Sequence, residues 1–82
     1  MSNLDEERSH LAQADMHILQ ARERIARIEA LLDRSVAAGA GQEQLELVRA
    51  TLDSFHAALA AFRQHRTLIT QAIEELGGGA VR

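Results

Sequence analysis

Apolar residues recur along this chain with a period of seven. Leu4, Leu11, Ile18, Ile25 and Leu32 form one series, and Glu7, Ala14, Ala21, Ile28 and Ser35 interleave with it. Downstream, Leu45, Leu52, Leu59, Arg66 and Ile73 interleave in the same way with Val48, Phe55, Phe62, Ile69 and Leu76. Alternating steps of three and four put both series of a segment on one stripe of an α-helix, the a and d positions of a heptad. Carried through the middle of the chain, the first a series would reach position 46, whereas the second series starts at Leu45. The phase therefore breaks between the two segments, which favours a hairpin over one continuous rod.

The break falls on Gly39, Ala40 and Gly41. Glycine there supplies the left-handed geometry that ends one helix and lets the chain turn. The first helix is expected over about residues 3–38. Asn3 caps its free amides, Glu6 three residues later completes a capping box, and Asp5 favours the positive helix end. The second helix is expected over about 42–76, stopping at Gly77. Residues 1–76 then form one hairpin with its turn at 39–41, and residues 77–82 form a flexible Gly-rich tail.

Antiparallel pairing requires facing residues whose numbers add to a constant. A sum of 80, centred on Ala40, pairs the two patterns layer by layer: Leu32 with Val48, Ile28 with Leu52, Ile25 with Phe55, Ala21 with Leu59, Ile18 with Phe62, Ala14 with Arg66, Leu11 with Ile69 and Glu7 with Ile73. Beside this seam, Asp15 comes opposite Arg63 and Glu29 opposite Arg49, pairs expected to help fix the register although each exposed one is worth only ~0–1 kcal/mol. The fold class is all-α: an antiparallel two-helix coiled-coil hairpin, expected to dimerise into a four-helix bundle.

Composition narrows the picture. Proline, cysteine and lysine are absent, and all nine basic residues are arginine. Without cysteine, disulfides and thiolate metal sites are excluded. A net charge of −3 disfavours a nucleic-acid partner, and two phenylalanines as the sole aromatic residues leave no platform for stacking bases. The acidic start and the lack of any long apolar run point to a cytoplasmic protein without a membrane partner. No glycine-rich phosphate loop, HExxH, EF-hand loop or nucleophile elbow occurs, so a non-enzyme is expected.

Two sets of residues outside the seam carry candidate functions. Leu47, Ala58, Ala61, Leu68 and Ala72 line one flank of the second helix, an apolar stripe that suits self-association or a helical protein partner. A weaker stripe, Ala12, Met16, Leu19, Ala26 and Ala30, follows the back of the first helix and is interrupted by Glu23. The histidines are the candidates for chemistry, since imidazole binds transition metals and titrates near neutral pH. His10 and His17 are about 10.5 Å apart along one helix, too far for one metal. His17 and His65, however, are expected near each other across the seam with His10 on the same flank. That arrangement would suit Zn or Cu, or a pH sensor, if it were more than a polar flank. Two polar residues at seam positions are read structurally. Arg66, opposite the small Ala14, packs its aliphatic stem and sends its guanidinium to the edge, towards Asp15 or Glu7. Glu7 is read as a substitution tolerated near a frayed open end.

The stretches HLAQADMHI (10–18) and FRQHRTLI (62–69) resemble a pattern in short uncharacterised bacterial proteins, often alphaproteobacterial, with H-L-x-x-A-x-x-H-I early and an H-R pair late. The resemblance spans about residues 10–76. It implies a helical hairpin and no activity.

Overall fold

A computed structural model describes residues 3–78, which form two helices, α1 (Leu4–Ala37) and α2 (Gln42–Gly78), packed against each other. The hairpin measures 62 × 20 × 14 Å, a single layer of two long helices. Asn3 sits in extended conformation ahead of α1, and its side chain accepts the Glu6 N–H at 2.8 Å. The described hydrogen bonds contain this half of the expected capping box and not the reciprocal one from Glu6. Asp5, Glu6 and Glu7 fill the first turn and Arg34 the last, each on the side that complements the helix dipole.

The turn is built by backbone hydrogen bonds. Gly39 has φ of +76°; its N–H donates to the Val36 carbonyl at 3.0 Å, and that of Ala40 donates to Ser35 at 2.9 Å. This is the Schellman arrangement, in which one left-handed residue lets two otherwise unpaired carbonyls be satisfied. Gly41 has no such conformation; its carbonyl takes the first α2 bond, from the Leu45 N–H at 3.1 Å. At the far end α2 passes the expected stop and continues to Gly78. Glycine weakens a helix by roughly 1 kcal/mol per residue without forbidding it, and terminal boundaries shift by a residue or two on that scale. The part of the expected tail at 79–82 lies outside the described residues.

The core lies at mid-length. Ala21, Ile25 and Leu59 are buried together, with Ile18, Leu52, Phe55 and Phe62 packed around them. These are the layers of the sum-of-80 register. Every seam position is buried or half-buried except Leu76, which lies near the open end. Burial of each large side chain contributes roughly 1.5–3 kcal/mol, but among the described residues no large side chain is fully enclosed. One layer of helices leaves each core residue open to a flank.

Glu7 corrects the expectation of a frayed end. It is only 8% exposed, held within α1 by its N–H donating to the Asn3 carbonyl at 3.0 Å. A carboxylate oxygen lies 3.8 Å from His10 Nδ1, one turn on. The two cross-helix ion pairs expected at the flanks are likewise replaced. Among the described ion pairs, the one that crosses between helices joins Arg66 to Asp15; neither Arg63 with Asp15 nor Arg49 with Glu29 comes within ion-pair distance. Arg66 grows from a seam position over Ala14, so its Nε reaches Asp15 with little chain to order, whereas exposed pairs must order two long side chains for a small Coulomb gain.

Candidate functional site

Two side-chain contacts fix the flanks of the seam. On one side, Asp15, an e residue of α1, accepts the Arg66 Nε hydrogen bond. On the other, the ring of His17, a g residue, lies against Phe62 with centroids 5.4 Å apart and planes tilted by 37°. In a heptad the e row borders a and the g row borders d, so the antiparallel pair brings e rows together on one flank and g rows on the other. Both contacts agree with that geometry.

The e flank is charged. It carries Arg8, Asp15, Arg22 and Glu29 from α1 with Arg49, His56 and Arg63 from α2. The g flank carries His10, His17, Arg24 and Leu31 from α1 with Gln44, Thr51, Ala58, His65 and Ala72 from α2. Arg24 is the one residue there with a formal charge. One row further out on α2 are the c positions Leu47, Ser54, Ala61 and Leu68, also uncharged.

The five apolar candidates of α2 divide between these rows. Ala58 and Ala72, at g, lean over the hairpin's own seam and are half-buried. Leu47, Ala61 and Leu68, at c, are exposed, Leu47 at 69% and Leu68 at 57%. Each leucine leaves most of a large apolar side chain in water, and the two stand on one line of the helix three heptads apart. A shallow open depression beside Leu47 is completed by Glu43, Glu46 and Ala50, all from α2. On α1, Met16 and Leu19 are exposed as well, but their stripe borders the charged flank, and Glu23 within it reaches Arg27 at 4.0 Å.

The described contacts of the histidines are separate ones. His17 is engaged with Phe62 and His10 faces Glu7, while no described hydrogen bond joins His17 to His65. Among the described residues no three histidine, aspartate or glutamate side chains gather as a metal could use them. His17 with His65 thus offers two ligands at most from one chain, fewer than the four of a closed zinc site. Sequence reasoning missed the Phe62 contact; the signal was available, since a g residue beside an aromatic d residue one layer away is within stacking reach. Nor did it separate the c from the g row of the stripe, which decides which alanines are free. No described helix is long and apolar enough to cross a membrane. Comparisons with protein-family models, with curated proteins and with solved structures find no match.

Proposed function

We propose that the hairpin is a non-enzymatic interaction module that docks a helical surface, from its own copy or another chain, along the c and g rows of α2. The observation that carries this reading is the pair Leu47 and Leu68, both mostly exposed on a row that holds no charge from one to the other. Scattered exposed leucines are ordinary; two on one uncharged stretch of helix, beside the half-buried Ala58 and Ala72, mark a face of the kind that partners cover.

The overall surface supports the same conclusion. The chain exposes 6060 Å² at a mass of 9.0 kDa, about a quarter more than the roughly 4,900 Å² expected of a compact folded chain of that size. A single layer of helices covers its core from two sides only, and stable domains are generally built from two packed layers. The second layer is what a partner supplies.

Sedimentation equilibrium from 1 to 500 µM tests this reading, run on the wild-type chain and on the Leu47→Glu/Leu68→Glu variant. Both positions are exposed in the hairpin, so circular dichroism should show the variant still helical. The expected result is a mass that rises with concentration for the wild type and stays at one chain for the variant. Association that the variant leaves intact removes α2 as the docking surface.

A further inference from the structure

Building on the docking role proposed above, we infer that the partner is a second copy of this chain, with the two α2 helices antiparallel about a twofold axis beside residue 60. The length available suits a copy. The stripe from Leu47 to Ala72 runs 25 residues along α2, about 38 Å at 1.5 Å per residue. The charge distribution suits it too. Between Leu47 and Ala72 neither the c nor the g row of α2 holds a formal charge, and the adjoining row, Ala50, Ala57, Gln64 and Gln71, is neutral. Two identical surfaces therefore meet along this stretch without like-charge repulsion, the requirement for a self-complementary twofold contact.

The register follows from side-chain size. Laying the stripe antiparallel on itself with residue numbers adding to 119 sets Leu47 against Ala72 of the second copy, Leu68 against its Thr51, and Ala58 against its Ala61. Each exposed leucine meets a small residue, and the axis passes where both helices carry alanine, so the backbones can approach closely. A shift by one heptad in either direction breaks this match: it sets Leu68 against Gln44, or carries the partner of Leu47 past the end of α2. The ends of the contact are acidic, Glu43 and Glu46 of one copy coming level with Glu74 and Glu75 of the other. Screening relieves that repulsion, so salt tightens this dimer.

The chain has no cysteine, which allows a spin label at a single introduced one, Ala57→Cys or Gln71→Cys, both exposed and beside the stripe. At 1.5 Å per residue, this register separates two Ala57 labels by about 8 Å along the axis and two Gln71 labels by about 35 Å. Pulsed dipolar spectroscopy on the full chain should give a short distance for the first and a much longer one for the second. Dissociation should weaken severalfold between 20 and 300 mM salt. Equal short distances at both sites would mean side-by-side copies, ending the antiparallel assignment while leaving the docking role intact. A wild-type chain that stays monomeric at 500 µM shows that the second copy is the wrong partner. Association that survives in Leu47→Glu/Leu68→Glu overturns both this inference and the docking role.

Discussion

The two flanks of the hairpin border the same seam yet are equipped for different surroundings. Along the e flank, arginines alternate with acids, and Arg66 leaves the seam to reach Asp15. Along the g flank, imidazoles, alanines and threonine replace every charge but Arg24, His17 settles on Phe62, and Leu47 and Leu68 stand exposed just beyond. Burying a charge without a partner is costly, whereas covering an alanine or leucine is favourable. A surface rich in charge is suited to water, and a surface emptied of it is suited to another helix. The difference lies outside the a and d residues, in which flank bears charge and which does not.

The comparison breaks first at the seam beneath both flanks. Leu59→Ala removes a buried side chain from the central cluster, and such truncations cost about 2–5 kcal/mol. Chemical denaturation should show that loss at every chain concentration. Leu47→Glu/Leu68→Glu should instead weaken self-association at least about 100-fold, equivalent to roughly 2.7 kcal/mol, while the dilute, monomeric chain melts as the wild type does. If the double variant were as destabilised as Leu59→Ala when dilute, the c row would belong to the core and the contrast between flanks would fail.

Much of this was readable in the residue pattern because the strong determinants repeat. The heptads placed the buried positions, the glycines placed the turn, and the sum of 80 brought Ala21, Ile25, Phe55 and Leu59 to one level, where the structure packs them in one cluster. What escaped was decided by single side chains at partly exposed positions. Asp15 had two arginines within plausible reach, and the pattern paired it across the e rows with Arg63, although it also named Asp15 as a target for Arg66. In the structure it is Arg66, from its seam position, that donates to Asp15. Glu7 looked expendable because an acid at a seam position suggests an open end, yet already in the first turn of α1 it is only 8% exposed. The division of the stripe into half-buried Ala58 and Ala72 and exposed Ala61 rests on a rotation of about 40° around the helix, finer than a count of apolar residues resolves.

The Arg66–Asp15 pair gives a smaller effect on the charged flank. Both side chains are about half exposed, 42% and 53%, so solvent screens the attraction and the pair is worth at most about 1 kcal/mol. Asp15→Ala should lower stability by no more than that. Arg66→Met keeps an apolar stem over Ala14 and should be neutral within about 1 kcal/mol. Denaturant midpoints for the two variants check both statements. A loss of several kcal/mol in either would mean that the ion pair, rather than the aliphatic layers, holds the helices in register.

The smallest effect is the sharpest control for the two-flank contrast. Arg63 is exposed, lies on the e flank and makes no ion pair among those described, so Arg63→Glu should change stability by less than about 0.5 kcal/mol. It should also leave the mass distribution in sedimentation unchanged. Placed at Ala61 on the c row, only two residues away, the same carboxylate should dissociate the pair of chains, because there it would be buried at the centre of the contact instead of hydrated at the edge of the seam. Sedimentation of Arg63→Glu beside Ala61→Glu reads this directly. Equal behaviour of the two variants would show that surface charge anywhere on α2 governs association, and that the neutrality of one flank has no special part in it.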